Sequence, residues 1–121
     1  MPSHHCGVDL DSYELVFLVR PPDAPDYDES TLDQIQREHM AFHAELRARG
    51  EVATNGPLLD PPDPALRGIT IYRTGSVERA RVLAEQDPAV RAGRLAVQVM
   101  TWWCPSGTLT RSGQPVQVPE R

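Results

Sequence analysis

The segment 13–20 constrains the fold most, because it has the composition of a β-strand and carries apolar side chains on both of its faces. One face would hold Tyr13, Leu15, Phe17 and Val19. The other face would hold Val16 and Leu18 between a glutamate and an arginine. A strand of this kind is buried on both sides, so the sheet that contains it needs cover on each face.

The rest of the chain predicts three more strands and three helical segments. Helices are expected from residue 29 or 30 to 49, at 77–86 and at 88–92, and strands at 51–59, 68–74 and 95–103. Gly50 would end the first helix and Ser76 would cap the second. The order β-α-β-β-α-β predicts a ferredoxin-like α+β fold, with a four-stranded antiparallel sheet and its helices on one face.

The second face of this sheet would remain uncovered by the chain itself, because no further helix is predicted. A second copy that packs sheet against sheet is the simplest cover, so we expect a homodimer. The α+β domain is expected at 13–103, preceded by an N-terminal arm at 1–12 and followed by a polar C-terminal tail at 104–121.

Composition excludes several classes of function. The 121 residues carry a net charge of −5, and arginines are scattered among acids, so we expect no nucleic-acid partner. No apolar segment approaches membrane-spanning length, and the first residues lack the pattern of a signal peptide, so a cytoplasmic protein without membrane contact is expected. Lysine is absent, which excludes Schiff-base chemistry, a pyridoxal-phosphate anchor and the P-loop lysine. Two cysteines, Cys6 and Cys104, are expected as reduced thiols.

His39 lies within the apolar stripe of the first predicted helix. The stripe consists of Leu32, Ile35, His39, Phe42 and Leu46. An imidazole there is either a general acid or base, or a buried structural histidine bonded to a backbone carbonyl. Asp87 is equally open to two interpretations, because Asp-Pro is an ordinary helix opening and a carboxylate also orients an imidazole. From the residues alone, both alternatives remain.

A metal site needs more ligands than the first helix provides. His39 and His43 are four residues apart and share a face, which suits a metal if a third ligand exists. The glutamate of the HExxH motif is missing, and no Cys/His cluster accompanies the pair. We therefore predict neither a metal nor another cofactor.

Candidate substrate-binding residues lie on either side of Gly50. Arg37, near His39, would hold a substrate anion or remain a solvated helix residue. Asn55 and Gly56 would donate amide or backbone hydrogen bonds to a ligand, or form a turn or bulge beside Pro57.

Three parts of the chain together resemble the YCII (YciI-like) family. They are REHMAFHAELRARGEVATNGPL, SVERARVLAEQDPAVRAG and LAVQVMTWW. The resemblance implies a dimeric ferredoxin-like domain with a small cavity, and a His–Asp site at His39 and Asp87. The long acidic loop at 21–30 and the extended tail depart from the family pattern.

We therefore predict a cofactor-independent enzyme that performs acid–base chemistry on a small molecule. His39 would move the proton and Asp87 would support it, in an elimination, isomerisation or hydrolysis that the residues do not rank. The alternatives are a binding or sensing module with the same pocket, and a structural dimer in which the two residues only pack and cap.

Overall fold

The computed structural model describes residues 3–5, 7–109 and 113–117. Its strands are β1 (Ser3–His5), β2 (Val8–Val19), β3 (Val52–Pro57), β4 (Leu66–Tyr72) and β5 (Ala96–Pro105). Its helices are α1 (Glu29–Ala48), α2 (Val77–Ala84) and α3 (Pro88–Arg91). All the elements predicted from the sequence are present, each within a few residues of its expected bounds except at the start of the first strand.

The sheet has the ferredoxin-like strand order. β5, β2, β4 and β3 lie side by side and every pairing is antiparallel. The helices cover one face, so the predicted fold class is confirmed. β2 is the central strand because it pairs with β5 along one edge and with β4 along the other.

β2 is longer than its apolar segment indicated, and β1 was not predicted at all. The strand begins at Val8, where β1 pairs with it in the register His5↔Val8. On the other edge, β2 pairs with β5 as far as Leu10↔Pro105. Backbone hydrogen bonds on both edges thus extend β2 through polar residues that a hydrophobic pattern does not mark.

The core lies between the helices and one face of the sheet. Its buried apolar residues are Val16, Leu18, Leu46, Val52, Tyr72, Ala80, Leu83, Ala84, Ala89 and Leu95. Val16 and Leu18 are buried in this core, so the face of β2 that carries them is the helix-covered one. Residues directly opposite them on the neighbouring antiparallel strands lie on the same face. Cys104 is a buried free thiol, as expected, whereas Cys6 lies outside the described residues.

The opposite face of the sheet is apolar and only partly buried. We call it the outer sheet face and define it by Tyr13, Leu15, Phe17, Val19, Ile69, Ile71, Met100 and Trp102, which the strand registers place together. Met100 is 37% exposed. No helix of the described residues covers this face, which leaves a large apolar surface without a partner in the chain.

The acidic loop 20–28 is docked against the segment that follows α3. The Tyr27 hydroxyl donates to the Ala92 carbonyl at 2.8 Å, and the Arg94 guanidinium donates to the Pro25 carbonyl at 3.1 Å. Asp28 ends the loop as the N-cap of α1, accepting from the Thr31 amide at 2.8 Å. The loop thereby becomes a wall beside the first turns of α1.

Two glycine substitutions test this docking. Gly93 and Gly75 have φ of 78° and 84°. A Cβ added at Gly93 would lie 3.2 Å from Pro25, whereas a Cβ added at Gly75 would have no neighbour within 4 Å. Gly75→Ala should cost about 1–2 kcal/mol, the usual strain of a left-handed residue. Gly93→Ala should cost roughly 1 kcal/mol more from overpacking. Urea unfolding measures both, and equal costs would mean that loop 20–28 does not bear on Gly93.

Candidate functional site

The helix α1 carries two histidines toward the sheet. Capped by Asp28 and amphipathic along its length, it buries His43 and Leu46 most deeply, whereas His39 keeps 16% of its side chain exposed. The buried stripe is thus rotated from the predicted one, because His43 rather than His39 is the histidine fully enclosed in the core. His39 lies at the margin of the core, where its ring remains reachable.

The side chain of Asp87 contacts both helical segments, α1 and α3. It is the N-cap of α3, and its Oδ1 accepts from the Ala89 amide at 2.9 Å. The same carboxylate contacts His39 Nδ1 at 2.7 Å from Oδ2 and 2.9 Å from Oδ1, although only 1% of Asp87 is exposed. The cap and the histidine partner, left as alternatives by the sequence, are therefore both present in one side chain.

This contact determines which nitrogen of His39 is available for chemistry. A carboxylate only accepts, so Nδ1 carries the hydrogen and donates it to Asp87. Nε2 makes no hydrogen bond within the described parts of the chain, so it is the nitrogen available to a ligand. The geometry is that of an oriented imidazole whose free nitrogen can take up a proton.

His43 is held in the opposite way, by neutral partners. Its Nδ1 donates to the His39 carbonyl at 3.1 Å, and its Nε2 accepts from the Thr70 hydroxyl at 3.3 Å. Burial lowers the pKa of His43 below its ordinary value, and the nearby Asp87 carboxylate opposes only part of this effect. His43 is therefore a neutral structural histidine that supports His39 from below, with the ring centroids 4.7 Å apart.

The third ligand that the histidine pair lacked in the sequence is supplied by Asp87. Ligand atoms of His39, His43 and Asp87 lie within 4.8 Å of one another. However, both nitrogens of His43 and Nδ1 of His39 already take part in hydrogen bonds. A metal would have to displace some of these bonds, so the trio is accounted for as a hydrogen-bonded cluster.

Tyr72 adds a buried hydroxyl close to this cluster. It is fully buried on β4, two residues after Thr70 and on the same face. Within the described residues its hydroxyl has no hydrogen-bond partner. Burial, followed by the charges of Asp87 and Glu51, raises its pKa, so Tyr72 stays a neutral phenol.

A cavity of about 230 Å³ lies between α1 and α3, and we call it the α1–α3 cavity. Its lining includes Arg20, Leu32, Ile35, Gln36, Ala89 and Arg94. Gln36 lies one turn before His39, and the Ala89 amide is bonded to Asp87. Neither His39 nor Asp87 is among the residues that line the cavity, and the lining residues nearest to them along the chain are Gln36 and Ala89.

The other residues predicted to bind substrate lie elsewhere. Arg37 is exposed, donates to the Gln34 side chain at 2.7 Å and does not line the α1–α3 cavity. Asn55, Gly56 and Pro57 line a separate cavity of about 210 Å³ beside β3 and β4. The Asn55 side chain accepts a hydrogen bond from the Arg47 guanidinium. The structure therefore brings His39 and Asp87 together without the remaining four.

Several residues around the site were not predicted from the sequence. Gln36 could have been found, because three residues before His39 is a neighbouring position on the same helix face. Arg20 and Arg94 are 74 residues apart, and Thr70 is 27 residues from His43. No local pattern joins such pairs, so only the tertiary structure reveals them.

Residues 16–103 match the model of the YCII-related domain, which is more than half of the chain. The chain belongs to the YCII-related domain family. The family resemblance noted from the sequence is thereby confirmed. No curated protein matches the chain.

A solved structure with a similar fold is 5-chloro-2-hydroxyhydroquinone dehydrochlorinase from Burkholderia phenoliruptrix AC1100, in complex with 2,5-dihydroxybenzoquinone. The identity is 20% and the TM-score 0.55, over 74% of this chain and 92% of that one. At this identity the likeness supports the ferredoxin-like fold. Among the described helices, none has the length and apolarity required to cross a membrane.

The lowered pKa of His43 predicts a pH-dependent stability. Below the ordinary histidine pKa of 6.5, the unfolded chain binds a proton at this residue that the folded chain does not. Stability should therefore fall as the pH is lowered from 6.5 toward the folded-state pKa. His43→Asn removes this titration while its amide nitrogen can still donate to the His39 carbonyl.

The measurement is the free energy of unfolding by urea between pH 7.5 and 5, for the wild type and His43→Asn. We expect the wild type to lose stability relative to the variant as the pH falls. The difference between the two profiles isolates His43 from the other titratable groups. Parallel profiles would contradict a neutral, buried His43.

Proposed function

We propose that this chain is a small-molecule enzyme in which His39 acts as the acid–base residue and Asp87 supports it. The observation that carries this proposal is the 2.7 Å contact between His39 Nδ1 and the buried Asp87 carboxylate. A purely structural histidine does not require an ion-pair partner that is itself removed from water, since burying a carboxylate is costly unless it is compensated.

In the proposed mechanism, His39 Nε2 removes a proton from the substrate. The imidazolium that forms is stabilised by the Asp87 carboxylate, which also holds the ring in place. The proton is then returned to another atom of the substrate or to a leaving group. No step requires a lysine or a covalent intermediate.

Elimination is the reaction class to test first among the three that the residues allow. The structural neighbour is named as a dehydrochlorinase, and loss of hydrogen chloride begins with removal of a proton. A His39 base that transfers a proton without a cofactor suits this chemistry. Isomerisation uses the same proton removal and returns the proton to another atom of the substrate, whereas in hydrolysis the same base would take the proton from an attacking water molecule.

The Asp87→Asn substitution separates the cap from the charge. Asn Oδ1 can still accept from Ala89, but its NH₂ group would face His39 Nδ1 and favour a hydrogen on Nε2 instead. We expect turnover to fall by about 10²–10⁴-fold in both Asp87→Asn and His39→Gln, the usual contribution of a general base. Histidine ¹⁵N NMR should show the change of tautomer in Asp87→Asn independently of any substrate.

The activity assay combines two substrate sources. Purified protein is incubated with 5-chloro-2-hydroxyhydroquinone, with chloride release as the readout, and with a bacterial metabolite extract analysed by mass spectrometry. Wild type and the two variants are compared at equal concentration, with Arg37→Gln testing the sequence-predicted anion contact. Identical profiles for wild type and His39→Gln would refute the enzyme and leave a binding module or a structural dimer.

We also propose a homodimer formed through the outer sheet face. This face has the apolar character of a core, and directly opposite residues such as Leu15 and Met100, or Phe17 and Ile69, form continuous rows across three strands. A closed two-fold contact between two such faces would bury them both. The cavity beside Asn55, Gly56 and Pro57 includes Ile69 and Ile71 of this face, so a partner copy would lie next to it.

Phe17→Glu tests the dimer because it places a charge at the centre of the outer sheet face. We expect a dimer mass for the wild type by light scattering at micromolar concentration and a monomer mass for Phe17→Glu. Val82→Glu is the matched control, since Val82 is 51% exposed on α2, on the helix side of the sheet. A monomeric wild type would refute the proposal.

A further inference from the structure

Two arginines converge at one end of the α1–α3 cavity. Arg20, at the end of β2, donates from Nε to the Arg94 carbonyl at 3.3 Å. Both guanidiniums line the cavity, and only 17% of the Arg94 side chain is exposed. Burial, and then the charges of Arg94 and Arg67, lower the pKa of Arg20. Two cationic side chains therefore lie at the wall of this cavity, and that of Arg94 is largely shielded from water.

Within the described parts of the chain, neither arginine is ion-paired with the acidic residues that share the cavity lining. Among the described residues, Arg20 forms no ion pair, and Arg94 meets only Asp26, at 3.9 Å, whose side chain is fully exposed. Glu29 and Asp33 also line the cavity but pair with neither arginine. Partly buried guanidinium groups are stabilised by a paired anion, so an anionic ligand suits the two arginines of this cavity.

The rest of the cavity suits a small organic body rather than a bare ion. Leu32, Ile35 and Ala89 give it an apolar lining, and Gln36 adds one amide. Ile35 lies one helical turn, about 6 Å along the axis, before His39. The volume of about 230 Å³ is below the range of roughly 300–1,000 Å³ for drug-sized pockets, so the ligand is small.

We propose that the substrate of this site is a small carboxylic acid, whose carboxylate is held by Arg20 and Arg94 while its carbon skeleton extends along Leu32 and Ile35 toward His39. Guanidinium groups bind carboxylates through paired, charge-assisted hydrogen bonds, which favour this anion in a fixed orientation. The inference rests on the proposed function, because it names the substrate class for the same His39–Asp87 pair.

The first experiment measures binding without requiring turnover. Thermal unfolding of the full chain is followed over a range of benzoate, acetate and inorganic phosphate concentrations at constant ionic strength, with benzamide as the uncharged analogue of benzoate. We expect benzoate to raise the Tm in proportion to its binding, and benzamide to leave it unchanged. Arg20→Gln and Arg94→Gln should each weaken benzoate at least about tenfold, the loss of one charged hydrogen bond.

Arg91→Gln is the matched control, since Arg91 is an exposed arginine of α3 outside the cavity, and it should bind benzoate as the wild type does. Where an arginine variant does not fold, side-chain NMR of the wild type decides, because benzoate should shift the Nε–H signals of Arg20 and Arg94. Benzoate affinity that is unchanged in both cavity variants would overturn the proposal. Stabilisation by no carboxylate, or by phosphate alone, would overturn it too.

His39→Gln distinguishes this proposal from the proposed function. The variant should lose turnover but still bind benzoate, since the anion is held at the other end of the cavity. Retained binding together with an inactive wild type would refute the enzyme and keep the carboxylate site. Turnover that depends on His39 but is unaffected by both arginine substitutions would refute the carboxylate site alone.

Discussion

The buried carboxylate of Asp87 is the group on which the site depends. It ends the turn before α3, accepts the Ala89 amide and receives the Nδ1 hydrogen of His39, all while excluded from water. A carboxylate in such a position is stable only because each of these donors is present. The His39 contact also holds α1 against α3, so the position of His39 and the packing of the two helices depend on the same hydrogen bond.

Polar side chains of the sheet lie on the core side of the His39–Asp87 pair and connect to it through His43. Thr70 on β4 reaches His43, and His43 in turn bonds to the backbone of His39 one turn earlier. Tyr72, on the same strand, contributes a buried phenol without a partner among the described residues. Such a column of neutral groups beneath the Asp87 carboxylate keeps the local polarity high without placing a second charge in the core.

The fold was largely predictable because its signals are local. Apolar character on both faces predicted the central strand, Gly50 marked the end of α1, and Asp87-Pro88 was a recognisable helix opening. The contact of His39 with Asp87 spans 48 residues and was expected only through the family resemblance. Arg20 and Arg94 had no such aid, since neither stands in a motif and their meeting depends on the pairing of β2 with β5, in which Val19 lies opposite Ala96. Strand pairing, likewise, extended β2 to Val8 through residues with no hydrophobic pattern.

Loop 20–28 and the hydrogen bonds of Asp87 are parts of the structure that can change separately. Residues between Pro21 and Tyr27 touch the body of the protein through a few anchors, at Ala92 and Arg94, and they contribute nothing to the hydrogen bonds of Asp87. Insertions or substitutions there would leave the contacts of Asp87 with His39 and Ala89 in place. Such a separation lets this surface loop diverge in sequence without disturbing the His39–Asp87 pair, which makes the loop a natural target for a mutational library.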